Sequence, residues 1–508
     1  MLIDLGIEER VSLSVVNVSQ PFSGTHHTPD TCFTGDNATS NDTQFSKLDE
    51  LPNSFHEANR VQCFNHTLNL AVKSILKPFN HKSKDQEASS ELSDDNNDDE
   101  LPDLLSDSDD SDDDRDDEGE LWDLSNSDDP EEVDELEELD VADKNILLAD
   151  TAAVRSTLVK LRGLTYAIVH STTVALPMWY RACKAHRVLS CLIPRDVVTR
   201  WNSTHTMIVF ALKYRHPIDD ITGNKALKLR KYELDNDDWR ILEDLVHILE
   251  KFKKATLFYS QDAVVTIANV IPSMDTIDKM LKPGIGSRTY HPAIQAAMKL
   301  GKATMNRYYS KTDLSNVYRI TMVLHPGLEL EYFCQHAWEA NWIEEAKRLT
   351  HEEYHKHYEK NTDGAQGDAH NEAVASDDEF GDFANISVAM KPSARNKLEE
   401  YLAAPLEKVR DPLRWWWDSR KAYPHLHRMA LDYLSVPATS TAIERAFSQG
   451  WQLLHFTRNR LSPKSICAAL CLGSWGRSEL LHIADLIAAV NMKKRKWAVV
   501  EEEVDEQA

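Results

Sequence analysis

The sequence predicts a mostly helical α/β protein with few, short strands, whose ordered chain is split by an acidic spacer. Three observations carry this expectation. Apolar residues recur at helical spacing over long stretches, as in WRILEDLVHILEKFKKATLFYS from Trp239 to Ser260. Strand-like apolar segments occur in the N-terminal block, where one ends at Asp36 and another alternates through Val61 and Cys63. Between Ser83 and Asp140 the chain is low in complexity, with SDSDDSDDDRDDEGE at its centre.

At 508 residues the chain is long enough for two or three domains and a large core, and 42% of it is hydrophobic. No apolar run reaches the roughly 18 residues needed to cross a bilayer, so no membrane partner is expected. Met1 to Arg10 has neither the basic start nor the apolar run of a signal peptide. Seven cysteines at irregular spacing suit reduced thiols in the cytosol or nucleus.

The net charge of −26 is unevenly spread. The window Asp85 to Asp140 holds 29 Asp and Glu against the single Arg115, a charge of −28, so the remaining chain sums to +2. A segment of that composition buries too little apolar surface to offset its ordering entropy, and disorder is expected over 83–140. Its Ser-Asp pattern also offers phosphorylation sites. The near-neutral body restricts any nucleic-acid surface to a local patch.

Boundaries follow from these shifts in composition. Residues 1–82 form an ordered N-terminal block, and 83–140 are the spacer. The ordered chain resumes over 141–204, where Val154, Leu158, Leu161 and Leu164 keep helical spacing. Residues 205–392 are dominated by helical patterns and contain a polar, acidic loop at 364–386. Residues 393–478 are aromatic and helical, and 479–508 are a charged tail with Lys493 to Lys496 before EEEVDE.

Four motifs carry the chemistry. In FTGDNATSND an apolar segment ends at Asp36. An acid held on rigid backbone at a strand's end is where two-metal nucleases place a ligand, although Asp-Asn is also ordinary turn chemistry. In RVQCFNHTLNL, Cys63 and His66 have half the spacing of a zinc site, with no second pair to match. A buried cysteine and a histidine where a strand runs into a helix, near Thr67, serve equally well. In DVVTRWNST, Arg200 can fork onto a phosphate and Trp201 can stack on an unpaired base; ordinary packing explains the same pair. In SVPATSTAIERAFSQG, Thr441 and Glu444 read as a capping box, and Ile443, Ala446, Phe447 and Gly450 as one helical face.

Taken together, in this order and wording, the motifs resemble the hAT superfamily of DNA transposases. The blocks DNATSND, CFNHTLNL and TRWNST are joined by WWWDSRKAYPHLHRMALDYLSVPATSTAIERAFS and RNRLS. The match runs over about Phe33 to Leu76 and Val141 to Ser478. The resemblance implies an α/β ribonuclease-H-like core, interrupted by a large all-α insertion domain over 205–392 and closed by a dimerisation region within 393–478. It implies a nuclear protein that binds DNA at transposon ends, assembles as a homodimer or larger, and cuts strands with Mg²⁺ or Mn²⁺ held by an Asp, Asp, Glu triad. Asp36 matches the second Asp and Glu444 the Glu, so their carboxylates are expected to converge. Arg200 and Trp201 match the DNA-binding pair, and Cys63 and His66 a motif of less defined role.

Nothing matches the family's first Asp: only 35 residues precede Asp36, and neither Asp4 nor Asp30 has the right context. The segment VVNVSQPFSGTHHTPDTC interrupts the strand that should lead into the motif. The core is therefore expected to be incomplete at its N-terminus, with an unpaired sheet edge, and the chain to be an N-terminally truncated, inactive copy. The alternative is a non-catalytic, dimerising remnant that binds DNA or protein. One further motif, His351-Glu352-Glu353-Tyr354-His355, fits H-E-x-x-H. The charged helix around it reads as an exposed surface helix rather than a zinc protease site.

Overall fold

Helix formation around one long apolar segment organises the described chain. The computed structural model describes residues 13–16, 31–35, 39–50, 55–81, 133–198, 200–261, 265–282, 289–359, 397–445, 448, 462–477 and 487. Its three strands are β1 (Leu13–Val16), β2 (Thr31–Gly35) and β3 (Phe55–Gln62). They form one sheet in the order β1-β2-β3, with β1 antiparallel and β3 parallel to β2. Parallel pairing needs a crossover, supplied by helix α1 (Thr39–Asp49). Phe33 of β2, Phe45 of α1 and Phe55 of β3 lock that unit, with ring centroids 5.0 to 6.4 Å apart. The guanidinium of Arg60 sits over the Phe45 ring at 4.4 Å.

β3 runs directly into α2 (Phe64–Leu76), three residues earlier than the sequence pattern suggests. Nine of its 13 residues are buried, including Phe64, Leu68, Ala71, Val72 and Ile75. Only His66, Asn69, Lys73 and Ser74 stay partly exposed, so the helix is covered on most of its surface. The helices that follow are α3 (Val141–Asp150), α4 (Ala152–His170), α5 (Ala175–Ala185), α6 (Trp201–Lys213) and α7 (Arg215–Gly223). Next come α8 (Asn236–Tyr259), α9 (Val270–Leu281), α10 (Pro292–Thr312), α11 (Asn316–Val323), α12 (Glu329–Gln335) and α13 (Ala340–Glu353). The last are α14 (Lys397–Leu402), α15 (Pro412–Asp418), α16 (Leu426–Leu434) and α17 (Pro463–Arg477).

α2 packs against α8 and α10. Gly301 of α10 makes the second approach possible: a Cβ there would stand 2.5 Å from Ile75 Cγ1 and 3.1 Å from the Ala71 carbonyl. Polar side-chain pairs tie the same helices, with Thr304 donating to Ser74 at 2.8 Å and Asn65 to Ser260 at 2.9 Å. The helical stripe read from the sequence is observed in α4, where Val154, Leu158, Leu161 and Leu164 are all buried. Long α8 starts with a capping box between Asp235 and Asp238.

The chain divides into two units, Met1–Ser440 and Thr441–Ala508. One continuous apolar cluster runs through the first unit from Cys32 to Ala438. The mostly helical expectation is met. The spacer, however, ends earlier than its acidity suggests. Residues 133–140 are packed, with Leu136 buried beside Leu147, Ala296 and Leu300. Arg307 reaches Glu135 at 2.8 Å and Glu138 at 3.0 Å, while Asp140 caps α3 through the Asp143 amide. Apolar leucines and a cation on α10 supply what composition alone hides.

Candidate functional site

Three stretches that carry motifs, Thr34–Gly35, Cys63–Phe64 and residues 437–440, meet at the C-terminal ends of β2 and β3. The Cys63 amide donates to the Gly35 carbonyl at 2.7 Å, joining the two strand ends. The segment 437–440 lies across them: Thr34 Oγ1 donates to the Pro437 carbonyl at 2.7 Å, and the Phe64 amide to the Ala438 carbonyl at 2.9 Å. The Ser440 amide donates to Cys63 Sγ at 3.4 Å. Tyr318, buried on α11, accepts from the Gln62 amide at 3.0 Å and fixes β3 from the other side. Residues about 400 apart in sequence are thereby clamped on one strand end.

Within this frame, Cys63 is fully buried at the N-cap of α2 and its sulfur serves as a hydrogen-bond acceptor. His66, three residues on, is half-buried. Among the described residues no three His, Cys, Asp or Glu side chains are placed to hold a metal ion. Asp36 lies outside the described residues. Glu444 lies in the second unit, half-buried within the helical stretch 441–445.

The DVVTRWNST block forms the entry to α6. Trp201, its first residue, is only 5% exposed and belongs to the core, whereas Arg200 is exposed. As it stands, a base could stack on Trp201 only after the ring left its pocket. Sequence reasoning missed the residue that shapes this loop, Asp196. Its side chain is 1% exposed and pairs with Arg162 of α4 at 2.6 Å, itself 5% exposed. The other carboxylate oxygen accepts from Ser203 at 3.0 Å and Thr204 at 2.8 Å, and Arg162 also reaches Asn80 Oδ1 at 2.9 Å. The signal was present: a charge inside the apolar stripe of α4 requires a buried partner.

The H-E-x-x-H motif does not converge. His351 Nε2 lies 2.9 Å from Glu399, His355 pairs with Glu359, and Glu352 pairs with Arg348. The helix is not exposed on every face, since Ala346, Thr350 and Tyr354 are buried. It ends in a π-turn over Tyr354–Tyr358, whose Tyr358 hydroxyl donates to Asp432 of α16 at 2.9 Å. Burial pushes the Asp432 carboxyl up to about 7, although Tyr358 and Arg428 pull it down.

The three tryptophans of α15 diverge, as a single helix requires. Trp416 is fully buried and donates to the Leu324 carbonyl at 2.8 Å; Trp415 is half-buried and donates to Glu407 at 2.7 Å. Trp417 is 39% exposed beneath the Arg420 guanidinium. Met429 and Leu434 of α16 are buried in the same chain's core. In the second unit, α17 has the apolar sequence PKSICAALCLGSWGR, yet Cys467, Ala468, Ala469 and Leu472 are exposed and Ile466 and Leu470 only half-buried.

Residues 397–476 match the hAT family C-terminal dimerisation region. Over that stretch the chain is similar to the hAT superfamily. A Talaromyces stipitatus protein named as a transcriptional regulator, tpeD, is 28% identical over 322 residues, covering 61% of this chain and 35% of that protein. A Zea mays protein named for the AC transposase is 22% identical over 344 residues, covering 64% and 42% respectively. The zinc finger BED domain-containing protein RICESLEEPER 3 of Oryza sativa subsp. japonica is 24% identical over 313 residues, covering 55% and 39%. The chain thus spans less than half the length of each of these relatives.

The buried polar groups make two predictions. Asp196→Ala leaves the Arg162 charge buried and unpaired, which is expected to cost about 3–5 kcal/mol in guanidinium unfolding. The double variant Arg162→Met/Asp196→Leu is expected to lose distinctly less, because it removes both charges together. At Asp432, the folded value of about 7 stands above the ordinary 3.8. The folded state therefore holds the proton more tightly, and the group's contribution to stability is full at low pH and lost as pH rises through about 7. Relative to Asp432→Asn, the unsubstituted chain should lose melting temperature between about pH 4 and about pH 7; parallel pH profiles would remove the assignment.

Proposed function

We propose that this hAT chain is a self-associating, DNA-binding nuclear protein that retains two of the three metal-binding carboxylates of a transposase. The observation that carries the association is α17, an apolar helix left largely exposed inside a region that matches the family's dimerisation model. The DNA reading rests on the transposase and BED-domain names of its relatives and on the exposed Arg200 at the entry to α6. Arg200 is the member of the pair that meets phosphate, since it stands at the surface and its guanidinium carries a planar donor fork. Trp201 holds the loop to the core.

Asp36 and Glu444 are assigned as ligands to Mg²⁺ or Mn²⁺ from their motif match alone. When bound, a two-ion site activates water or a 3′-hydroxyl and stabilises the leaving oxygen. We take the chain to bind DNA and assemble without strand cleavage, a reading that the relative named as a transcriptional regulator supports.

Purified chain is expected to leave transposon-end duplexes intact with Mg²⁺ or Mn²⁺ on a denaturing gel. Cleavage that disappears in Glu444→Gln would overturn the non-catalytic reading and restore the enzyme. Sedimentation at micromolar concentration should give a dimer or larger species, held by about Leu398 to Trp475. Leu472→Glu, on the exposed part of α17, should shift it to monomer. A clean monomer from the unsubstituted, folded chain would defeat the assembly.

A further inference from the structure

Between Ser171 and Lys231 there are 11 Lys and Arg against three Asp, in a chain whose overall charge is −26. The fold neutralises those acids locally. Asp196 is buried against Arg162, Asp220 lies 2.6 Å from His186, and Asp219 lies 3.9 Å from Arg215. Exposed cations of this stretch include Lys184, Arg187, Arg195, Arg200, Lys225 and Lys228, and Arg181, Lys213, Arg230 and Lys231 are exposed as well.

Packing brings their segments together. α5 lies against α7, and α7 against the short turns Lys225–Leu227 and Arg230–Tyr232 that follow it. The loop after α5 is folded back by two hydrogen bonds: Trp179 donates to the Cys191 carbonyl at 2.8 Å and Tyr214 to the Leu189 carbonyl at 2.9 Å. The Arg162–Asp196 pair then fixes the stretch that carries Arg195 and Arg200. The surface is thus preorganised by groups beneath it.

Arg187 and Lys228 both stand at the ends of helical turns with left-handed backbone, φ 56° and 53°, a conformation that Glu329 and Ala337 adopt elsewhere. Both cations are exposed there.

We propose that the surface from Lys184 to Arg200, together with Lys225 and Lys228, binds the sugar-phosphate backbone of duplex DNA. The proposal rests on the DNA-binding reading above and deepens it by naming the surface that meets the duplex. Bonds to phosphate position a protein on DNA and make its affinity salt-dependent. Lys184, Arg187, Lys225 and Lys228, unlike Arg200, lie well away from the TRWNST motif in sequence and can be removed without touching it.

The test is fluorescence anisotropy of the full chain with a labelled duplex of about 30 base pairs, titrated across salt concentrations. The variant carries Lys184→Ala, Arg187→Ala, Lys225→Ala and Lys228→Ala. A control carries Arg240→Ala, Lys251→Ala, Lys299→Ala and Lys408→Ala, four exposed cations elsewhere, giving the same change in net charge. The slope of log affinity against log salt should fall by about 0.9 for each phosphate that the variant no longer neutralises, and stay near the parent value in the control. Equal slopes and affinities for parent and variant, with the parent still binding, would overturn this surface and leave the DNA reading intact. Failure of the unsubstituted chain to bind duplex at low salt would overturn both.

Discussion

Burial of α2 is the constraint on which the first unit depends. Nine of its 13 residues are withdrawn from water, which leaves only His66, Asn69, Lys73 and Ser74 partly exposed. The chain therefore has to bring α8 and α10 to its flanks and the strand ends to its start. Gly301 sets how closely α10 approaches, and the pairs Thr304–Ser74 and Asn65–Ser260 satisfy the polar groups trapped between helices. The RVQCFNHTLNL motif is in this sense a folding signal first. Its cysteine is an N-cap residue buried under segment 437–440, where its sulfur takes a backbone hydrogen bond.

The same constraint places chemistry. Because α2 begins where β3 ends, whatever lies on the strand ends is held by the centre of the core rather than by a loose loop. Thr34, Gly35, Cys63 and residues 437–440 form a hydrogen-bonded seam there. A catalytic or binding group mounted on such a seam would be held far more tightly than one on an exposed turn. The α6 entry is rigid for a different reason: a buried ion pair, with its remaining lone pairs satisfied by Ser203 and Thr204, stiffens the loop from beneath.

Charge is distributed with a similar division of labour. Acidic residues gather in one low-complexity window, and exposed cations in the stretch from α5 to the turns after α7. A single net charge of −26 conceals both. At the other end of the window, Glu135 and Glu138 find Arg307, so the acidic run acquires structure where leucines and a cation are on hand.

Motif order carried the family resemblance, and periodicity determined the helical class and the apolar stripes of α4 and α8, because local spacing dictates which face of a helix can be buried. The divergence of Trp415, Trp416 and Trp417 was likewise legible, since three consecutive residues on a helix cannot share one direction. Pairing across long separations was not. That Arg162 would meet Asp196, that Cys63 would accept from Ser440, and that Trp201 would be a core residue beside an exposed Arg200 depends on which elements the central helix draws together. Spacing along a chain carries no information about partners 34 or 377 positions away. Only packing, which must match every buried charge and donor with a neighbour, decides them.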